Sequence, residues 1–266
     1  MSAHDIGWAG LACAYGALFV SLVLFRLVRV SLYRDLLVSV IRMSVQLAMV
    51  GFYLTILFEW NNPIMNLGWV LLMTAVATFS LLKGSGLKLS LFWFIFPAML
   101  ITVSAVLAWF VGLVFRPEPL LDARYIIPVA GMILGNSMNR TIITMERFYS
   151  GIRQDHEGYA SFIAMGAGVR EASAPYISTA YRAGLAPQLA SMAVIGLVFL
   201  PGMMTGQILG GSSPMTAIKY QIAIIIAIFV ATELASYLSI RLSMRRGFDE
   251  FGFLRDDIFK TRRTEG

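Results

Sequence analysis

Asn136, Asn139, Thr205 and Gln207 stand within or beside otherwise apolar stretches, and Met132, Met203 and Met204 are set among them. Amide and hydroxyl oxygens in an apolar setting can hold a polar solute or a cation weakly and let it go, whereas thioethers are soft donors suited to Cu(I). Proton transfer or nucleophilic attack needs other side chains. The apolar stretches hold no histidine or aspartate, since His4 is near the N-terminus and His156 lies in a polar stretch. No metal-ligand set or base and nucleophile pair is therefore available inside them, which disfavours a membrane-embedded enzyme. The single cysteine, Cys13, excludes an intramolecular disulfide framework and a cysteine-based zinc site. No catalytic residue and no metal centre is expected, and the methionines read first as adaptable packing residues.

These side chains must be carried by long apolar helices. Of the 266 residues, 58% are hydrophobic and 14% charged, too apolar for a soluble domain of this length. Apolar runs occupy 6–25, 36–58, 67–82, 91–115, 125–145, 189–212 and 217–240. A helix of about 20 residues crosses a hydrocarbon core of roughly 30 Å, so the chain reads as an all-α polytopic membrane protein with about seven transmembrane helices. The third run is short and ends at Lys83, which must snorkel. Residues 1–243 form one transmembrane domain on this reading. Residues 244–266 form a tail of alternating charge with Phe248, Phe251 and Phe253, an amphipathic segment lying against the membrane or a partner.

Lys and Arg gather in loops that stay in the cytoplasm. With the N-terminus outside and the C-terminus inside, only Arg116, Arg124 and Lys219 fall outside and Arg42 lies within a span, which leaves 17 of the 21 basic residues on the inner face. Topology and contact with anionic lipid thus account for the net charge of +6 without nucleic acid. The segment ahead of the first run carries Asp5 and no Lys or Arg, as expected of a retained span and not of a cleaved signal. On this topology the fifth span runs inward from Tyr125 and the sixth outward from Leu189, so Asn136 and the pair Pro201 and Gly202 share the midplane, with Asn139 and Arg140 nearer the inner face. From Leu200 to Gly211 a proline and four glycines interrupt the sixth run. Lipid offers such backbone no water, so the break must line a cavity or a protein interface. Met132, Asn136, Asn139, Pro201, Gly202, Met203, Met204, Thr205 and Gln207 are the candidate lining of a translocation path. Arg42 and Gln46 share one face of the second span. Arg42 and Glu233 lie at depths of about 9 and 12 Å from the inner face, close enough in level to form an intramembrane ion pair. Gly131 with Gly135, and Gly202 with Gly206 and Gly210, have the spacing of close helix contacts, within one chain or between two.

The one long polar insertion, about 146–187, joins the fifth and sixth spans on the inner side. Its helix-compatible segments, Glu157 to Met165 and Val169 to Tyr181, are separated by Gly166, Ala167 and Gly168. A loop this long usually serves a function, and two short helices on it make a docking surface. The plainer reading is an amphipathic pair on the interface with no partner. No phosphate-binding Gly-x4-Gly-Lys-Ser/Thr occurs, and Lys83 to Lys88 is glycine-rich without that spacing. Energy from ATP would have to arrive on another chain.

The run from Pro201 to Ile208, Pro-Gly-Met-Met-Thr-Gly-Gln-Ile, closely resembles a signature of the permease subunits of a small ABC-transporter family. That family includes bacterial iron-export (FetB-type) permeases and, more distantly, plant aluminium-tolerance half-transporters. Gly131 to Asn136 resembles the same family's Gly-Met-Ile-Leu-Gly-Asn element. Ala164 to Ala167 followed by Arg170, Glu171 and Ala172 resembles its Ala-Leu-Gly-Ala and Arg-Glu-Ala run, and Arg42 with Gln46 matches its Arg-x-x-x-Gln pattern. The likeness covers most of 36–240. Ala160 stands where many importers place a glutamate, so the likeness is to this family and not to importers. The resemblance implies a permease subunit of an ATP-driven transporter in the plasma membrane, the inner membrane of a bacterium, exporting iron or another small solute. It implies a second copy of the chain as partner and an ATP-binding subunit docked on Glu157, Ala164, Gly166, Ala167, Arg170 and Glu171. ATP would sit on that subunit, with no cofactor on this chain. A weak site of Asn, Gln and backbone carbonyls suits an exporter, which must release its cargo. A stand-alone channel or secondary transporter is the alternative. Intramembrane carboxylates or an inverted repeat would mark it, and the sequence offers only Glu233 and no convincing repeat.

Overall fold

The computed structural model describes residues 7–260; His4, Asp5, Arg262, Arg263 and the end of the tail lie outside them. Among the described residues the chain is helical, with no strand beyond three isolated bridges. Two short helices, α1 (Trp8–Gly16) and α2 (Leu18–Val28), lead to α3 (Tyr33–Trp60), α4 (Pro63–Gly84) and α5 (Phe92–Trp109). A π-helical turn, Phe110–Phe115, extends α5, and α6 (Ala123–Gln154) follows. Then come α7 (His156–Ala164), α8 (Val169–Ala172), α9 (Ala174–Val194), α10 (Gly202–Leu209) and α11 (Pro214–Gly247).

Local chemistry sets the helix starts. Asn62 accepts from the Ile64 amide at 2.9 Å with Pro63 in the first turn of α4, Asp122 accepts from the Arg124 amide at 2.9 Å at α6, and Ser213 accepts from the Thr216 amide at 3.2 Å with Pro214 opening α11. Asn61, left-handed at φ 38°, ends α3. Its side-chain oxygen receives the Ala123 amide at 2.9 Å, tying the α3–α4 turn to the start of α6.

Among the described residues five helices are long and apolar enough to cross a membrane: α1 with α2, α3, α4, α5 with its π turn, and α11. The two other apolar runs give something different. Run 125–145 is the first part of α6, which carries Asn136, Asn139 and Arg140 and continues as a charged helix to Gln154. Run 189–212 is split, because α9 stops at Val194 and α10 begins only at Gly202.

The core lies between α4, α5, α6, α9 and α11, while α1 and α2 bury nothing and α3 buries only Leu57, against Ala123 and Ile127. On α11 the buried residues Ala227, Ala231, Ala235, Ser239, Ser243 and Gly247 recur every four positions. Small side chains at that spacing let helix backbones approach closely where lipid gives no hydrophobic drive between helices. α6 and α11 run parallel in register: Thr141 and Ser236 hydroxyls are 3.1 Å apart, and the Tyr149 hydroxyl donates to Ser243 at 2.8 Å. A Cβ on Gly247 would come within 2.8 Å of the Tyr149 hydroxyl.

Two sequence expectations change here. The 146–187 insertion is nearly all helix: α6 runs on to Gln154, and the segment expected to end at Tyr181 is broken at Ser173 and then continues unbroken through Pro187 to Val194. The residues after α11 fold back on the bundle and do not extend along a surface. Asp249 accepts from the Phe251 and Phe253 amides at 3.0 and 2.8 Å, and Gly252 at φ 85° completes the reversal. Phe248 and Ile258 are buried in the core, and the Lys88 and Lys260 amides pair with the Ile258 and Gly86 carbonyls at 2.8 and 2.9 Å.

Candidate functional site

A cavity of about 310 Å³ opens where α6, the end of α9, the α9–α10 break and α11 meet. Its walls are Met132, Asn136 and Arg140 from α6, Gln188, Ser191 and Met192 from α9, Ile195, Phe199 and Pro201 from the break, Gly202 and Met203 from the start of α10, and Gln221, Ile224, Ile225 and Ile228 from α11. The break is a tight reversal in which Gly196, at φ 84°, donates its amide to the Phe199 carbonyl at 3.0 Å. Glycine is needed there because a side chain at that φ is strained.

The structure therefore brings Met132, Asn136, Pro201, Gly202 and Met203 around one space. Asn139, Met204, Thr205 and Gln207 do not line it: Asn139 is exposed outside it, and Met204 is buried. Asn136 donates from Nδ2 to the Met132 carbonyl at 2.8 Å, which leaves its oxygen unused within α6. Two residues that sequence reasoning passed over, Gln188 and Gln221, are only 8% and 7% exposed, and each has a buried side-chain oxygen without a hydrogen-bond partner. Gln207 has one as well, outside the cavity. A polar side chain inside an apolar run was the available signal for Gln221; Gln188 sits one residue before such a run.

Arg42 does not meet Glu233. The four ion pairs among the described residues lie elsewhere, and Arg42 and Gln46 are both exposed. The reason is lateral: α3 touches the bundle mainly through its far end, at Leu57, so equal depth does not bring the two residues together. The partly buried Glu233 instead offers its backbone carbonyl to the Tyr181 hydroxyl of α9.

α9 is held on α6 by a close crossing. A Cβ on Gly184 would lie 2.1 Å from Thr144 Oγ1 and 3.2 Å from the Arg140 carbonyl, so only glycine fits. At its beginning α9 is clasped by Asp155, which caps α7 by accepting from the Gly158 amide at 3.3 Å and accepts from the Tyr176 hydroxyl at 2.7 Å. Burial, then that bond to a carboxylate, pushes the Tyr176 phenol up to about 12. Between α7 and α8, Gly166 turns at φ 91°. Glu157, Ala164, Gly166, Arg170 and Glu171 are exposed around this elbow, and Ala167 packs partly against the core. The folded-back tail supports the elbow from below: the Tyr159 hydroxyl donates to the Gly252 carbonyl at 2.8 Å.

A larger cavity of about 820 Å³ lies at the same end, between the α4–α5 turn, α6 and the tail, and is lined by Lys88, Glu146, Arg153, Asp256 and Lys260 among others. None of the sequence-predicted site residues borders it. No group of three or more His, Cys, Asp or Glu side chains able to hold a metal occurs among the described residues.

A family model described as "Uncharacterised protein family (UPF0014)" matches residues 8–248. The UPF0014 membrane protein YjkA of Bacillus subtilis is 31% identical over 226 residues, covering 84% of this chain and 89% of the relative. The probable iron export permease protein FetB of Escherichia coli is 30% identical over 249 residues, covering 94% and 95%. Protein ALUMINUM SENSITIVE 3 of Arabidopsis thaliana is 29% identical over 254 residues, covering 94% and 90%. No solved structure matches.

Proposed function

The chain belongs to the UPF0014 family of membrane proteins, and from that premise we propose that it is the membrane-spanning permease subunit of an ATP-driven ABC transporter that exports a metal ion, iron being the first candidate. The cargo rests on what FetB is named for, a probable iron export permease. The observation that carries the mechanism is α9. One helix of 21 residues, roughly 30 Å long, starts at the α7–α8 elbow and ends with Gln188, Ser191 and Met192 in the wall of the cavity. An ATP-binding subunit closing on the exposed elbow residues would move that wall without any other connecting element.

The finer topology belongs to the same reading. Seven spans, with α6 and the α9–α10 pair added to the five evident ones, put the N-terminus outside and the elbow, the tail and most basic residues in the cytoplasm of a plasma-membrane protein. Asn136 and Asn139 are exposed on the single chain within the apolar belt, and a Cβ on Gly202 or Gly206 would meet nothing within 4 Å. Polar side chains and close-contact glycines left open at that level favour a second copy of the chain against them. No catalysis is assigned to this chain; ATP is bound and hydrolysed by the partner.

The test is ATP hydrolysis by the complex recovered in mild detergent from its native membrane with this chain tagged, with and without alanine or proline replacements across Glu157 to Ala172. The reading expects co-purified ATPase activity that the elbow changes abolish. A chain recovered alone, with no ATPase, would overturn it in favour of a stand-alone channel or secondary transporter.

A further inference from the structure

The lining of the α6–α9–α11 cavity carries one formal charge, that of Arg140. Arg140 stands within the apolar run 125–145, is partly buried, and takes part in none of the four ion pairs among the described residues. Glu233, just before the Ser236 that meets Thr141, neither pairs with it nor lines the cavity. A guanidinium at membrane depth is costly without a counter-charge, and such residues mark solute pathways. A second part of the lining has the same sign. α10 opens on the cavity through Gly202 and Met203, and no side chain caps it. The amides of Gly202, Met203 and Met204 precede the first bond of this helix, from the Thr205 amide to the Pro201 carbonyl, so its positive end keeps free donors. The backbone is approachable there, since a Cβ on Gly202 would meet nothing within 4 Å. Half-helices that begin inside a membrane in this way offer their N-termini to the anionic groups of solutes.

The rest of the lining agrees with that sign. It holds no carboxylate, imidazole or thiolate, and the amide oxygens of Gln188 and Gln221 are enclosed, so they put no acceptor into the space. A metal cation, bare or hydrated, finds no ligand here and is repelled by Arg140. Such a lining can hold a metal only inside an anionic shell that the metal brings with it. A guanidinium matches a carboxylate with two parallel N–H bonds. At about 310 Å³ the space is at the small end of ligand pockets, about 300–1,000 Å³, which suits one small complex. We propose that the cargo occupies this cavity as an anionic metal chelate, a carboxylate of the chelating ligand being held by Arg140 and the N-terminus of α10. This rests on the metal-permease reading above and goes beyond it in naming the charge of the cargo, its bound form and the group that recognises it.

The experiment uses the full chain with its ATP-binding subunit in lipid nanodiscs. Equilibrium dialysis measures ferric nitrilotriacetate, a small hydroxo-anion at neutral pH, then Fe²⁺ alone under anaerobic conditions, then tricarballylate, a tricarboxylate without metal. The expected result is binding of the chelate and not of Fe²⁺, with tricarballylate weaker because one guanidinium cannot neutralise a trianion. Arg140→Gln should weaken the chelate by about tenfold or more, and Arg140→Lys, which keeps the charge without the fork, several-fold. The thermal midpoint of Arg140→Gln should not fall below that of the parent, because the guanidinium removed had no ion-pair partner. Arg140→Lys serves as the test if Arg140→Gln does not fold. Chelate binding that neither substitution weakens, or Fe²⁺ that binds alone and displaces the chelate, would overturn the anionic site and leave metal transport standing. Tricarballylate bound as tightly as the chelate would overturn the metal as cargo, and with it the chelate. A wild-type complex that binds none of these probes would overturn the site and the metal cargo together.

Discussion

Replacing Gly184 by alanine tests the α6–α9 crossing on which the functional reading depends. The added methyl would sit 2.1 Å from Thr144 Oγ1, where an ordinary contact is 3.4–4 Å. Room could come from turning the Thr144 side chain, which now donates to the Arg140 carbonyl at 3.1 Å. That carbonyl is itself the second obstacle, at 3.2 Å, and being backbone it cannot turn aside. α9 must therefore lift off α6. Overpacking of this kind costs about 1–3 kcal/mol, and about 2 kcal/mol corresponds to a roughly 30-fold fall in the folded-to-unfolded ratio. Reversible unfolding in detergent micelles should register that loss for Gly184→Ala. Thr144→Ala removes the nearer atom and leaves only its Cβ at 3.4 Å, so the double variant should recover about 1 kcal/mol or more relative to additivity. A Gly184→Ala chain as stable as the parent, or one that Thr144→Ala makes worse by simple addition, would refute the crossing.

Three further outcomes follow from the end of the bundle that carries α7. Tyr149→Phe removes the 2.8 Å bond to Ser243 while Ser243 keeps its own bond to the Ile240 carbonyl, so stability should fall by about 0.5–1.5 kcal/mol in the same unfolding assay. The Tyr176 phenol, raised to about 12 from 10.0, favours the protonated folded form. Its contribution is complete below pH 10, declines as pH rises and is lost near 12. The tyrosinate absorbance difference between wild type and Tyr176→Phe should accordingly show one group titrating near 12 and not near 10. Gly166→Val forces a β-branched residue into φ 91°, so the α7–α8 turn should deform. ATP hydrolysis by the complex should drop by tenfold or more while the unfolding midpoint of the transmembrane bundle changes little.

What the sequence made legible was mainly backbone chemistry. Pro201 and the glycines to Gly211 announced a break that must line something, and the structure puts Pro201 and Gly202 in a cavity wall with Asn136. What it hid was direction around the helix axes. Arg42 and Glu233 share a depth, yet depth says nothing about which side of the bundle a helix occupies, and α3 carries Arg42 away from α11. The contact stripe on α11 escaped notice because it is written in alanine and serine up to its last member, Gly247. Pro187 read as the end of a loop, but its missing amide costs one helical bond and α9 continues past it, with the Ser191 hydroxyl donating to the Pro187 carbonyl at 2.9 Å. The phenylalanines of the tail suggested a flat amphipathic segment, whereas the turn from Asp249 to Gly252 sends Phe248 and Ile258 into the core.

Gly184 divides α9 into nearly equal halves, ten residues from Ala174 and ten to Val194, or about 15 Å on either side. Seen as a beam on a fulcrum, such a helix has a mechanical gain below one at the cavity: Gln188 to Met192 lie about 6–12 Å past Gly184, so a displacement at the elbow returns there with the opposite sign and roughly 0.4–0.8 of its amplitude. Its length is then a calibrated dimension. One residue inserted between Gly184 and Gln188 would advance the cavity end by about 1.5 Å and rotate it by roughly 100°. Gln188 would swing off its wall while every residue before the insertion kept its place, so this segment should tolerate changes of side chain far better than changes of count.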